Sequence, residues 1–117
     1  MESYRSKRVT FLGEQDGPSE KDLKVALNSC LTRNEEIKAA YLLRISLSET
    51  PGIQVALCIY PEVNDRDTLL QCIGASFSQL FKPVEHLDIL FLDDKQKAEA
   101  DTVAKPFFDG QSLTTEN

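Results

Sequence analysis

A helical pattern of apolar residues follows the polar, glycine-containing loop near the start of the chain. Pro18 or Ser19 should begin the helix, because proline lacks the N–H group that a first helical turn leaves unpaired. Apolar residues then recur at i, i+3, i+4, i+7 and i+8 as far as the polar stop at 32–34, namely Leu23, Ala26, Leu27, Cys30 and Leu31. This period predicts a helix with one buried face.

A second helical pattern lies in the second half of the chain. Asn64 or Asp65 can cap its first turn, and Lys82-Pro83 should end it. Its wide apolar face consists of Leu69, Leu70, Ile73, Phe77, Leu80 and Phe81. Gly74 falls within this helix, where glycine costs up to about 1 kcal/mol relative to alanine, so we expect a neighbour to pack closely against it.

Four segments show the apolar and polar alternation of β-strands, at residues 8–12, 37–47, 53–60 and 85–92. The two middle segments are separated by Glu49-Thr50-Pro51-Gly52, which is typical of a turn and predicts a hairpin. The order is therefore β-α-β-β-α-β. We expect an α+β fold with a single sheet and both helices on one face, either ferredoxin-like (split βαβ) or a similar two-layer sandwich.

One face of this predicted sheet has no helix to cover it. The side chains assigned to it are too apolar for open water, namely Ala40, Leu42, Ala56, Cys58, Tyr60, Leu90 and Leu92. Contiguous apolar surface of this kind usually marks a contact site. We expect a partner subunit, as in a homodimer, or the segment that contains Phe107 and Phe108 to cover it.

The amino-acid composition of the chain changes after the last predicted strand. Residues 95–104 are charged and alanine-rich and form a short exposed helix or a loop, whereas Pro106-Phe107-Phe108 is an abrupt apolar cluster. Burial of one Phe side chain stabilises a fold by roughly 1.5–3 kcal/mol. We therefore expect Phe107 and Phe108 to be at least partly buried, in the domain or in a dimer contact.

These segments together resemble the C-terminal domain of the enhanced serine sensitivity protein (SseB) family. The resemblance is carried by Phe11-Leu12-Gly13, by the leucines of the first helix, by Ala39-Ala40-Tyr41-Leu42, by Leu87–Phe91 and by Pro106-Phe107-Phe108, where the family often has tyrosine at the last position. It implies a domain over residues 8–109, with an N-terminal extension at 1–7 and a flexible tail at 110–117. The resemblance brings no catalytic residues with it, and family members usually carry another domain before this one.

The net charge of the chain indicates which classes of partner it can bind. The 117 residues have a net charge of −6, and residues 45–117 alone contribute −7. Because a nucleic-acid-binding surface needs cations to neutralise phosphates, this balance argues against nucleic acid and against anionic lipid. The apolar run that follows Arg5, Lys7 and Arg8 is too short for a signal peptide, and the longest one, Val55–Tyr60, is too short to span a membrane. We expect a cytoplasmic protein.

The three cysteines give no sign of a metal site. Cys30, Cys58 and Cys72 lack CxxC spacing, and none is near the single histidine, His86. Each follows the apolar period of its own segment. We expect all three to be unpaired, buried and slow to react.

Catalytic chemistry is equally hard to find. No nucleophile accompanies His86, and the loop at 13–17 lacks the lysine and Ser/Thr of a phosphate-binding P-loop. Asp93 and Asp94 can hold Mg²⁺ or act as an acid–base pair at a strand end, but adjacent acids are ordinary in solvated turns. We expect no enzyme, no cofactor and no metal.

Two hypotheses of function remain. The first is a non-catalytic protein-interaction or regulatory module that self-associates. The second is a regulatory domain that binds a small molecule such as an amino acid, because βαββαβ domains also bind amino acids and the family name mentions serine. A melting temperature that rises with serine or a related amino acid would favour the second hypothesis.

Overall fold

A computed structural model describes residues 9–48, 50–80 and 87–110. Its elements are β1 (Val9–Glu14), α1 (Pro18–Thr32), β2 (Ala39–Leu47), β3 (Thr50–Tyr60), α2 (Arg66–Leu80), β4 (Asp88–Phe91), α3 (Asp94–Asp101) and β5 (Phe108–Asp109). The predicted extension at 1–7, the predicted end of the second helix, His86 and the predicted tail at 110–117 apart from Gly110 lie outside the described residues. The two helices, the hairpin and the α+β class are confirmed, and the charged segment after β4 forms a helix rather than a loop.

The strands form one mixed sheet in the order β1-β2-β3-β4. The β1–β2 and β2–β3 pairs are antiparallel, and β3 and β4 are parallel neighbours. The expected split βαβ order is wrong, because no strand lies between β3 and β4. A residue pattern records which side chains are buried, but not which strands pair, so several orders satisfy it equally well.

Strand β5 adds a fifth segment beside β1. It pairs antiparallel with Ala39 and Ala40 at the start of β2, whereas β1 pairs with the second half of that strand. The N–H of Phe107 donates to the carbonyl of Ala40 at 2.9 Å, and the N–H of Gly110 donates to the carbonyl of Lys38 at 2.9 Å. The C-terminal cluster is therefore hydrogen-bonded into the sheet.

The register of the hairpin decides which residues share a face. Leu42 is opposite Leu57, whereas Tyr41 is opposite Cys58 and Leu43 is opposite Ala56. Directly opposed residues of an antiparallel pair point to the same side. Leu42 therefore does not share a face with Ala56 and Cys58, and its predicted place on the uncovered face is wrong, as is that of Ala40.

Helices α1 and α2 cover the first face of the sheet. Leu23, Leu27 and Leu31 of α1 and Leu69 and Ile73 of α2 are all buried there. They pack on sheet residues of the first face, namely Ala40, Leu42, Leu57, Ile59 and Phe108. Each fully buried aliphatic side chain stabilises the fold by roughly 1.5–3 kcal/mol, so this layer holds the core together.

The second face of the sheet is also buried within the single chain. Its side chains include Tyr41, Leu43, Ile45, Ala56, Cys58, Leu90 and Leu92, and none of these is more than 4% exposed. Ala100 of α3 packs in the same cluster and is fully buried. The apolar second face was expected to be covered by a partner subunit or by the Phe107-Phe108 segment. That segment packs on the first face instead, and helix α3 of the same chain lies against the second.

Two cysteines do not behave as predicted. Cys30 of α1 and Cys72 of α2 form a disulfide, with their Cα atoms 5.9 Å apart, although they are separated by 42 positions in the sequence. The two helices are neighbours in one layer, and this proximity arises only in the folded chain. Cys58 is free and fully buried, as expected, and burial raises the pKa of its thiol.

Gly74 also has different surroundings from those expected. It is exposed, and a Cβ atom built at this position would meet nothing within 4 Å. The prediction of a closely packed neighbour is wrong, because Gly74 points away from the sheet and from α1. None of the described helices is both long enough and apolar enough to cross a membrane.

Candidate functional site

A cleft opens where the parallel strands β3 and β4 end. We call it the strand-end cleft. Its volume is about 510 Å³, and it is lined by Tyr60, Pro61, Glu62, Phe91, Leu92, Asp93, Asp94 and Gln96. The carboxyl ends of parallel strands meet at the same edge of a sheet, and open α/β sheets commonly bind ligands beyond that edge. The volume lies within the range of about 300–1,000 Å³ that is usual for ligand sites.

One wall of the strand-end cleft is the ring of Tyr60. Its hydroxyl donates to Asp94 Oδ1 at 2.6 Å, and this hydrogen bond raises the pKa of Tyr60. Lys97 Nζ lies 5.6 Å from the centre of the ring. The same ammonium is 2.9 Å from Asp101 Oδ2, so α3 holds the tyrosine between a carboxylate and a cation.

The other aromatic wall is Phe91, the last residue of β4. The guanidinium carbon of Arg66 lies 4.9 Å from the centre of its ring, a distance at which a cation is attracted to an aromatic face. Arg66 also forms an ion pair with Glu62, four positions earlier in the chain. The first turn of α2 is thereby connected to the segment that follows β3.

The start of α3 forms one side of the cleft and is held in place by a capping box. The N–H of Gln96 donates to Asp93 Oδ1 at 2.8 Å, and the N–H of Asp93 donates to Gln96 Oε1 at 3.1 Å. The predicted solvated turn at Asp93-Asp94 is thus the first turn of a helix. Nowhere in the described ranges do three or more His, Cys, Asp or Glu residues come together as a metal site.

The charges around the cleft are unbalanced. Three carboxylates line it, those of Glu62, Asp93 and Asp94, and no basic residue is among the lining side chains. Arg66 and Lys97 stand at its border and are each already paired with a carboxylate. Carboxylates beside two aromatic rings are suited to a group that is positively charged and has an apolar stem.

Behind the cleft, Tyr41 connects the second face of the sheet to α3. Its side chain is 1% exposed, and its hydroxyl donates to the carboxylate of Asp101. Burial, followed by this hydrogen bond, raises the pKa of Tyr41. Partial burial of Asp101 acts to raise the pKa of its carboxyl, but the hydrogen bonds from Tyr41 and Lys97 prevail and lower it.

This pairing predicts how stability depends on alkaline pH. Unfolded tyrosine loses its proton near pH ~10. The folded chain keeps the Tyr41 proton at that pH, so the unfolded state binds fewer protons and stability falls as the pH rises above about 10. We expect Tyr41→Phe to flatten this fall, as measured by urea unfolding over a pH series. Tyr60→Phe is the comparison variant and should flatten the fall less, because Tyr60 is only half-buried and its pKa is raised mainly by the hydrogen bond to Asp94. Equal slopes for wild type and Tyr41→Phe would contradict the prediction.

The structure separates the residues that the sequence placed on one interaction surface. Leu42, Phe107 and Phe108 lie on the first face, against the helices, and Ala56, Cys58 and Leu90 lie buried on the second face. Only Tyr60 reaches the strand-end cleft. Sequence reasoning missed Glu62 and Phe91, and the available signal was that both stand at strand ends.

Comparisons with known proteins give one match. The family model for the SseB protein C-terminal domain matches residues 12–109, which run from β1 to the end of β5. The matched span therefore includes the last three residues of β1, the whole of the other four strands and the whole strand-end cleft. No curated protein and no solved structure matches the chain.

Proposed function

We propose that this chain, which belongs to the SseB protein C-terminal domain family, is a non-catalytic recognition module of the cytoplasm. It acts through the strand-end cleft, where it holds a positively charged group of a partner protein. The observation that supports this most directly is the convergence of three carboxylates and two aromatic rings in a cleft of about 510 Å³.

The engagement of each acid supports a non-catalytic role. A general acid or base needs a carboxyl that is available to the substrate. Asp93 instead caps α3, Asp94 accepts from Tyr60, and Glu62 pairs with Arg66. These carboxylates hold the walls of the cleft in place, which is suited to binding and not to proton transfer.

Self-association is part of the proposal, but through a surface other than the expected one. The second face is buried within one chain, so a second copy cannot dock there. The cleft is lined by residues from the more acidic part of the sequence, because residues 1–44 have a net charge of +1 and residues 45–117 of −7. A second copy is therefore a candidate partner that presents its more basic half to the cleft.

An amino acid is the second candidate for the ligand. The volume of the cleft is within the range of small-molecule sites, and its carboxylates can accept from an ammonium group. Arginine or lysine suits this chemistry better than serine, because only their side chains place a second cation and an apolar stem beside the rings of Tyr60 and Phe91.

A peptide-binding measurement tests the proposal. The probe is a fluorescein-labelled peptide of alternating arginine and glycine, and its anisotropy is followed as the chain is added. We expect binding that weakens with salt, and a loss of about fivefold or more in affinity for Asp94→Asn, which removes one charge from the cleft. Sedimentation velocity of the chain alone reports whether it forms a dimer.

The matched control is Asp22→Asn, which removes the same charge from the exposed side of α1. Its affinity should equal that of wild type. Equal losses of affinity in both variants would mean that binding depends only on the net charge of the chain. An absence of peptide binding to wild type would refute a positively charged partner protein. A rise in melting temperature with free arginine or lysine, without peptide binding, would instead establish the second candidate.

A further inference from the structure

The disulfide between α1 and α2 is not equally accessible from its two ends. Cys30 is 4% exposed and belongs to the buried cluster of the first face, whereas Cys72 is only partly buried. An opening of about 190 Å³ lies beside the disulfide and is lined by both cysteines and by Arg33, Asn34, Asp65, Thr68 and Leu69. This volume corresponds to several water molecules of about 30 Å³ each, enough to admit a small thiol.

The two sulfurs also differ as leaving groups, that is, in how well each is stabilised as a thiolate when the disulfide is broken. The hydroxyl of Ser76 lies 3.7 Å from Cys30 Sγ, and in the disulfide that sulfur carries no proton, so the hydroxyl is the donor. Ser76 stands one helical turn after Cys72 on α2, on the side that faces Cys30. A thiolate released at Cys30 therefore finds a hydrogen-bond donor already in place.

We infer that Cys30–Cys72 is a thiol–disulfide exchange site that takes small aliphatic thiols and is attacked at Cys72. The incoming thiolate bonds to Cys72 Sγ while the Cys30–Cys72 bond breaks, and its electron pair leaves on Cys30 as a thiolate. A second thiolate then attacks the sulfur of the bound thiol and releases Cys72. Two thiols are thereby oxidised to one disulfide, and the two cysteines are reduced by two electrons.

Charge at the opening does not direct the reaction, since Arg33 and Asp65 both line it and carry opposite charges. Access and the leaving group decide instead which sulfur is attacked. The buried leucines of α1 and α2 and Ile73 lie in the same cluster as Cys30, so apolar contacts besides the cross-link hold the two helices together. In a compartment that keeps thiols reduced, a disulfide of this kind alternates between its oxidised form and the reduced pair of thiols.

Peptide mapping by mass spectrometry tests the inference on the oxidised full chain. Reduced glutathione is added without denaturant, the reaction is quenched with acid at intervals, and the adduct is located. We expect a transient glutathione adduct on Cys72 and a free thiol on Cys30. We expect Ser76→Ala to slow the first step by about threefold to tenfold, because the departing thiolate loses its donor.

Ser78→Ala is the control, an exposed serine on the same helix, and it should react at the wild-type rate. A second measurement uses single cysteine variants with oxidised glutathione: Cys30→Ser should accept glutathione at Cys72, whereas Cys72→Ser should leave Cys30 unmodified. An adduct on Cys30, a disulfide that reacts only in denaturant, or equal rates for the two serine variants would overturn the inference.

Discussion

Replacing both Phe107 and Phe108 with alanine is expected to lower the free energy of unfolding by at least about 3 kcal/mol, since truncation of one buried phenylalanine already costs roughly 3–5 kcal/mol. Phe108 is 6% exposed and packs among the residues of the first face, and Phe107 packs partly against the same cluster. Both face the helix layer, so their loss leaves a cavity beneath α1. Urea unfolding followed by circular dichroism measures the effect.

The matched control is Val25→Ala with Leu80→Ala. These side chains are 76% and 43% exposed, so the double change should alter stability by less than about 0.5 kcal/mol per site. The Phe107→Ala single variant should cost less than Phe108→Ala, because Phe107 is only partly buried. If the double phenylalanine variant melted like wild type, β5 would not be part of the folded domain.

Removal of the Cys30–Cys72 disulfide is expected to lower the free energy of unfolding by about 4 kcal/mol. The cross-link joins positions 42 apart in the sequence, and in the chain-entropy account a loop of this length restricts the unfolded state by about that amount. The variant Cys30→Ala with Cys72→Ala should therefore have a midpoint of urea unfolding well below that of oxidised wild type.

A reductant separates the cross-link from side-chain packing. Dithiothreitol should lower the stability of wild type towards that of the double alanine variant, and it should leave the variant itself unchanged. Cys58 is free in both proteins and fully buried, so it does not contribute to the difference. A wild type whose stability did not respond to dithiothreitol would contradict the prediction.

Local patterns predicted the elements well because they record burial along a single segment. The period of α1 selected Leu23, Ala26, Leu27, Cys30 and Leu31, and all of these except the half-buried Ala26 are its buried residues. The two alternating segments on either side of the predicted turn at 49–52 predicted the β2–β3 hairpin. Its strands differ from the prediction in their starts, since β2 begins at Ala39 and not at residue 37, and β3 at Thr50 and not at residue 53. Phe108 was expected to be buried simply because an isolated aromatic cluster has no reason to face water.

The order of the strands could not be predicted in the same way. The parallel β3–β4 pair and the split βαβ arrangement bury the same residues, so no hydrophobic pattern distinguishes them. Leu42 lies on the first face because it is paired with Leu57 in the hairpin. An error of one position in the register would place its side chain on the other face. Pairing and register are therefore properties of two strands together.

The sequence by itself determined the helices, the hairpin, the α+β class and the burial of Phe108. Only the tertiary structure decided that Cys30 meets Cys72, that the second face is buried within one chain, and that Tyr60, Phe91 and Asp94 line one cleft. The reason is physical: a periodic pattern reports the environment of each residue along its own segment, whereas a disulfide or a cleft requires distant segments to be brought together by packing.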